Sequence, residues 1–222
     1  MKREIDLNEI SDGRLYGLND MVRADCNDCA GCSACCHGMG ESIVLDPMDI
    51  YHLAQGTKKE FSELLEQYLE LNVVDGIILP NLKLTGADEA CGFLNEQGRC
   101  SVHAFRPGIC RLFPLGRIYE DGAVKYFLQV HECLQENRSK IKVKKWLGIP
   151  ESKKYEQFVV DWHYLLLDLQ ELMEQRQDAE FNKQISLLLL NQFYVTPYEV
   201  DLDFYEQFYI RFQEVKHGVF GR

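Results

Sequence analysis

The sequence predicts an α+β fold, mostly helical, with a metal-nucleated cysteine-rich module containing small β-hairpins and a C-terminal helical region after it. Three observations carry this. All nine cysteines of the 222 residues fall between Cys26 and Cys133. The same stretch alternates short apolar runs with turn signals. From Tyr155 onward, large apolar residues recur at three-and-four spacing. The chain accordingly divides into a lead-in (1–25), the cysteine module (26–136) and the helical region (137–222).

The first helix of the module is expected in LDPMDIYHLAQG. Asp46 caps, Pro47 suits the first turn, Asp49 favours the positive end, and Gly56 stops it. Thr57 with Glu60 reads as a capping box for a second helix, with Phe61, Leu64, Leu65, Tyr68 and Leu69 on one face. Asp75-Gly76 is a turn before a strand at Ile77 to Leu79. Two hairpin-like pieces follow, Phe93-Leu94 across Gly98 to Cys100, and Ile118-Tyr119 across Asp121-Gly122 to Val124–Val130. Tyr155, Phe158, Val159, Trp162, Leu165, Leu166, Leu169, Leu172 and Met173 then mark a helix of about five turns. Another helix is expected over 179–193. A third opens at Thr196-Pro197 and turns Val200, Phe204, Phe208 and Phe212 inward. These aromatic stripes are read as core. No internal repeat is visible.

Composition narrows the function classes. At 46% hydrophobic and 27% charged residues, the chain has the balance of an ordinary globular protein. Its net charge of -11 repels phosphate backbones, so no nucleic-acid partner is expected. The one basic run, Lys140, Lys142, Lys144 and Lys145, is read as a solvated face. The opening MKREIDLNEI has no apolar run of the secretory kind. The greasiest stretch, Ile185 to Leu190, is far shorter than the ~20 residues that span a bilayer. A cytoplasmic protein with no membrane association is therefore expected. In that reducing compartment, cysteines serve as metal ligands rather than disulfides.

The decisive stretch is DCNDCAGCSACCHG, with Cys26, Cys29, Cys32, Cys35 and Cys36. A two-residue gap lets a tight turn aim two sulfurs at one ion while backbone N–H groups face the thiolates. Thiolates favour zinc, copper(I) or iron–sulfur clusters over magnesium or calcium. Cys91, Cys100, Cys110 and Cys133 form a second, dispersed group beside turn signals. Nine cysteines allow two four-sulfur sites with one spare, or one cluster with supporting thiols. In extended backbone, Cys35 and Cys36 would point apart. That suits a polynuclear cluster or two sites sharing one loop. His37, His103 and His131 stand beside cysteines and are read as supporting or surface residues. Arg99, Arg106, Arg111 and Arg117 could offset thiolate charge, hold an anionic substrate or form surface ion pairs.

CAGCSACC followed by ACGFLNEQGRCSVHAFRPGICRLFP resembles the YkgJ-type cysteine-cluster proteins, a family with a zinc- or iron-chelating domain. The family's CxxCxxCC falls on Cys29, Cys32, Cys35 and Cys36. Its later pattern falls on Cys91, Cys100, Arg106, Pro107, Cys110, Arg111 and Pro114. Cys26 is an extra, Cys133 matches loosely, and His103 stands where the family often has Tyr. The resemblance implies metal ligation by Cys29, Cys32, Cys35, Cys36, Cys91, Cys100, Cys110 and Cys133, holding a 4Fe–4S cluster or zinc. One relative carrying this domain, the flagellin lysine methylase FliB, uses an iron–sulfur cluster and S-adenosylmethionine. By that resemblance alone, protein lysine methylation with a protein substrate is an alternative, although no glycine-rich methyl-donor loop is evident. A zinc-stabilised module docking a protein partner is another.

Overall fold

In a computed structural model, residues 6–27, 29, 32–135 and 137–221 are described. Of the described residues, 47% are helical and 21% are in strands or bridges, the helix-dominated α+β fold expected. Its elements in order are α1 (Leu7–Ile10), β1 (Met21–Asp25), α2 (Pro47–Thr57), α3 (Phe61–Gln67), β2 (Leu69–Val74), β3 (Ile77–Leu82), β4 (Leu84–Thr85), β5 (Ala90–Cys91), α4 (Gly108–Leu112), β6 (Leu115–Glu120), β7 (Ala123–Leu128), β8 (Ser139–Lys142), α5 (Val143–Leu147), α6 (Ser152–Arg176), α7 (Ala179–Leu190) and α8 (Phe204–Phe220). The strands form four antiparallel pairs, β1–β8, β2–β3, β4–β5 and β6–β7.

Local chemistry accounts for the boundaries. Asp46 accepts the Asp49 N–H, and Asp49 in turn accepts the Asp46 N–H, a reciprocal cap that opens α2 with Pro47 at its first position. Asp75-Gly76 and Asp121-Gly122 both take positive φ, the two-residue turn whose twist suits a hairpin. They close β2–β3 and β6–β7 in full register.

Five expectations are corrected. Gly56 does not stop α2, which ends on Lys58 in the left-handed conformation. Gly56 instead lies inside the helix, where any Cβ would collide with the Phe105 ring. Thr57 is the last residue of α2, its hydroxyl donating to the Leu53 carbonyl, and α3 is capped by Glu60 with Glu63. Leu69 belongs to β2, a strand the helical spacing concealed. The last helix begins at Phe204 after its cap Asp203, which leaves Val200 66% exposed outside it. The helix expected to reach 193 ends its regular turns at Leu190 and continues as a wider π turn over Asn191–Val195.

The helical region packs on the module through buried apolar faces and a few buried polar ties. The α6 residues Tyr155, Phe158, Val159, Trp162, Leu165, Leu166, Leu169 and Met173 are buried. Phe158 meets Phe204 and Phe208 of α8 edge to face, a favoured aromatic geometry. The aromatic stripes are therefore core. Ser186 of α7 accepts the Ile78 N–H of β3, and the Tyr194 hydroxyl donates to the Leu45 carbonyl beside the start of α2. Trp146 of α5 donates to the Leu112 carbonyl at the end of α4. Strand β1 pairs with β8 across more than 110 residues of sequence, Asp25 facing Ser139, and this fixes where the first cysteine of the loop emerges. No helix among the described residues is long and apolar enough to cross a membrane.

Candidate metal centre

The first cysteine loop leaves β1 through a tight local fold. The Asp25 carboxylate accepts the Asn27 N–H and the Ser139 hydroxyl. Asn27 and Cys29 both have φ near +56°, the left-handed conformation. The two sulfurs end 3.5 Å apart. The Cys32 N–H then donates to the Cys29 carbonyl, turning the chain again. Residues 28, 30 and 31 lie outside the described residues.

Cys35 and Cys36 occupy a single 3₁₀ turn, Ala34–Cys36, and not extended backbone. The expectation that they point apart is overturned. The Cys36 thiol donates to the Cys35 sulfur, and this bond, more than anything else, lowers Cys35 to about 7. Cys36, the donor, is correspondingly pushed up, with burial adding to the effect.

After the pair, the chain is sewn to the second cysteine group. His37 bridges Ala90, and the Gly38 N–H donates to the Glu89 carbonyl, which brings the loop alongside β5 and its Cys91. Cys91 and Cys100 are presented in the same way. The Phe93 N–H donates to the Cys91 sulfur and the Val102 N–H to the Cys100 sulfur, each two residues on. Between them, Leu94 bridges Cys100, and Asn95 to Gly98 makes the turn. Phe93 anchors this knuckle, 3% exposed and stacked on Tyr68 at 4.3 Å. Burial raises both thiols, and the N–H donors work against it. This is the arrangement by which backbone stabilises ligating thiolates.

Cys110 is delivered by α4, and α4 is held from behind. The buried Asp49 carboxylate accepts the Gly108 N–H at 2.6 Å, tying the start of α4 to the start of α2. Gly108 can only be glycine in this packing. A Cβ there would meet the Tyr155 hydroxyl at well under 3.0 Å. Burial, then the Asp49 charge, pushes Cys110 far above the ordinary thiol range. Sequence reading gave Asp49 only a helix-dipole role and gave Tyr155 only a core role. The signal for Asp49 was its place three residues after a capping Asp, but nothing in the sequence joins it to Gly108.

Electrostatic reach defines the group. Cys36 feels Cys35, Cys91 and Cys100. Cys110 feels Cys91, Cys35 and Cys100, and Cys29 feels Cys26 and Cys35. A chain of such pairwise influences links Cys26, Cys29, Cys35, Cys36, Cys91, Cys100 and Cys110, from stretches more than fifty residues apart. All nine cysteines are free thiols and half-buried. Cys32 follows Cys29 in the same loop. Cys133 sits between β7 and β8, and no hydrogen bond joins it to another thiol among the described residues. Nor, among those residues, are any three His, Cys, Asp or Glu side chains arranged to hold an ion as they stand. One rotamer step moves a cysteine sulfur by about 3 Å, so gathering and ligation differ by side-chain rotation.

The neighbouring cations divide their work. Arg106 acts on Cys29, Cys35 and Cys100, and Arg99 on Cys100, each favouring the thiolate. Both guanidiniums contact the His103 ring, which places His103 among charge partners and not among ligands. His37 meets the Asp88 carbonyl. Arg111 donates to the Arg106 and Ala104 carbonyls and braces the loop before α4. Arg117 faces the Tyr155 ring and the Asp46 charge, away from the sulfurs. Lys140, Lys142, Lys144 and Lys145 are exposed, as expected of a solvated face.

Soft sulfur donors, backbone N–H groups aimed at them, nearby guanidiniums and the absence of disulfide bonds fit a transition metal better than a hard cation. Comparison with known proteins agrees. Neither curated proteins nor solved structures give a match. The family model CxxCxxCC, "Putative zinc- or iron-chelating domain", matches residues 28–141, just over half of the chain, spanning Cys29 to Cys133. The chain belongs to the CxxCxxCC family of zinc- or iron-chelating domains.

Proposed function

We propose that this metal-binding protein holds an iron–sulfur cluster of the 4Fe–4S type through Cys36, Cys91, Cys100 and Cys110. The observation that carries the reading is the spread of the thiols over three separate segments: Cys36 is influenced by Cys91 and Cys100, and Cys110 by the same two. A cluster in which each cysteine takes its own iron draws on thiols set further apart than the ligands of one tetrahedral ion. The N–H donors on Cys91 and Cys100 and the positive charge of Arg99 and Arg106 favour the anionic state such a centre imposes.

When bound, the cluster would supply one-electron chemistry or serve only as a structural clamp. The chain's own residues do the rest. Asp49 and Gly108 position Cys110, Phe93 fixes the knuckle carrying Cys91 and Cys100, and the 3₁₀ turn aims Cys36. Methyl transfer with S-adenosylmethionine has no observation in its favour.

The test is anaerobic purification followed by an absorbance scan, metal analysis and assay of acid-labile sulfide. The reading predicts a brown protein with matched iron and sulfide, and loss of both in Cys100→Ser. A colourless protein carrying zinc and no sulfide would overturn it.

A further inference from the structure

The β2–β3 hairpin has one covered edge and one open edge, and the open edge carries exposed apolar side chains. We propose that β2 is a dimerisation edge: a second copy of this chain pairs with it antiparallel, Leu71 against Leu71, joining the two hairpins into one continuous sheet. The hairpin, residues 69–82, contains no cysteine, so this interface is separate from the metal centre.

The direction of the backbone groups is the first argument. Leu69, Leu71 and Val73 stand opposite Leu82, Pro80 and Ile78 of β3. All three β3 residues turn their backbone groups away from β2. The Leu82 N–H donates to the Ile43 carbonyl at 3.1 Å, the Pro80 carbonyl accepts the Leu45 N–H at 2.9 Å, and the Ile78 N–H donates to the Ser186 hydroxyl at 3.2 Å. In an antiparallel ladder, the residue facing such a position also points its backbone outward. Leu69, Leu71 and Val73 therefore direct their N–H and C=O groups to the open edge. Among the described residues, no hydrogen bond reaches them there.

The side chains are the second. Leu71 is 40% exposed and Val73 69%. The strand reads LELNVV, with neither Lys nor Pro, and pairs with β3 without a bulge. Lysine, proline and bulges are the devices that ordinarily stop an edge from pairing. Strand β8 shows the contrast, because SKIK puts Lys140 and Lys142 in solvent. The proline of the hairpin, Pro80, is on β3, where residues 43–45 already cover the edge. Strand β2 is left without such protection.

Self-complementarity is the third, and it selects the occupant. A two-fold axis lets one antiparallel edge pair with its own copy. With the axis at Leu71, Leu69 meets the partner's Val73 and Glu70 meets the partner's Asn72. Apolar positions then face apolar ones, and each carboxylate faces an amide. The Asn72 amide already donates to the Glu70 carboxylate within the chain at 3.1 Å. Moving the axis to Glu70 would set two carboxylates directly opposite each other, which destabilises a sheet. The strand thus matches itself in one register. Each chain carries a net charge of -11, so the copies repel at long range and salt should strengthen their association.

The experiment is sedimentation equilibrium of the full, metal-loaded chain under anaerobic conditions, over a wide concentration range. The expected result is a reversible monomer–dimer equilibrium that salt shifts toward dimer. Leu71→Lys sets two ammonium groups face to face at the axis and should weaken the dimer roughly tenfold, as should Leu71→Glu. An equimolar mixture of the two variants should regain the dimer as a heterodimer. Leu187→Lys, at an exposed position on α7, should leave the equilibrium unchanged. A wild type that stays monomeric throughout, leaving the edge to a strand of some other protein, would overturn the proposal. So would a dimer that Leu71→Lys leaves intact, or a mixture that does not recover. Should the Leu71 variants fail to fold, amide hydrogen exchange of the wild type decides. Leu71 and Val73 amides that exchange more slowly in concentrated than in dilute protein support the pairing, and rates independent of concentration refute it.

Discussion

Replacing Gly108 by Ala tests how the fold delivers Cys110. An added methyl in the first turn of a helix ordinarily stabilises by up to about 1 kcal/mol, because glycine loses more backbone freedom on folding. Here the Cβ would stand well inside 3.0 Å of the Tyr155 hydroxyl and in ordinary contact, 3.5 Å, with Asp49 Oδ1. Tyr155 is only 2% exposed, and its hydroxyl has no hydrogen-bond partner among the described residues, so the ring has no open space to move into. Over-packing of this kind costs roughly 1–3 kcal/mol, which set against the helix gain leaves a net loss of up to about 2 kcal/mol. The assay is urea unfolding of the metal-loaded protein under anaerobic conditions, with metal content measured in parallel. Tyr155→Phe removes the atom that clashes and should itself be close to neutral, since a buried unpaired hydroxyl is lost. The double variant should then recover most of the stability, giving a coupling of about 1 kcal/mol. If Gly108→Ala matches or exceeds the wild type, or if Tyr155→Phe brings no rescue, the packing argument around α4 is wrong.

Three further outcomes follow from the same geometry. Asp49→Asn keeps the size of the side chain but offers one acceptor oxygen where the Gly108 and Asp46 N–H groups now find two. Unfolding free energy should fall by about 1–3 kcal/mol with reduced metal content, and an unchanged value would refute the tie. Arg106→Gln removes a charge that favours the Cys35 thiolate. The pH midpoint of Cys35 alkylation in metal-stripped protein should rise by up to about one unit from near 7, and an unmoved midpoint would show that Arg106 does not act there. His52 is lowered to about 4, chiefly by burial and then by the Arg111 charge. Between the unfolded value of 6.5 and the folded value, only the unfolded chain takes up the proton, so stability is present above pH 6.5 and is lost as pH falls toward 4. Wild type should therefore lose up to about 3 kcal/mol relative to His52→Asn across that window, while a constant difference would mean His52 titrates normally.

Much of this architecture is legible in the sequence where the determinant is local. Asp46 and Pro47 announce α2, the two Asp-Gly pairs announce hairpins, and the stripe from Tyr155 to Met173 announces α6, because each signal acts within a few residues of itself. The misreadings share one cause. Gly56 looks like a helix stop but is there to admit Phe105, a residue almost fifty positions away. Thr57 and Leu69 fit a helical pattern on spacing alone, and tertiary packing assigned them elsewhere. Val200 lies outside the last helix because Asp203, not Thr196, captures its first N–H groups.

The candidate site divides in the same way. The metal-binding character is plain from five cysteines in eleven residues, and the family resemblance carries it to Cys91, Cys100 and Cys110. What the sequence does not display is orientation. A 3₁₀ turn, not extended chain, brings Cys35 and Cys36 into contact, and the sulfurs of Cys26 and Cys29 meet in a stretch with two left-handed residues. Backbone conformation at single residues is set by surroundings such as the β1–β8 pair, which no local pattern encodes.

X-ray absorption at the metal edge of the anaerobically purified protein bears most directly on whether these thiols meet on metal. A first shell of sulfur alone, at about 2.3 Å, is the predicted spectrum. A shell dominated by oxygen or nitrogen, or protein that purifies with no iron or zinc at all, would contradict the account.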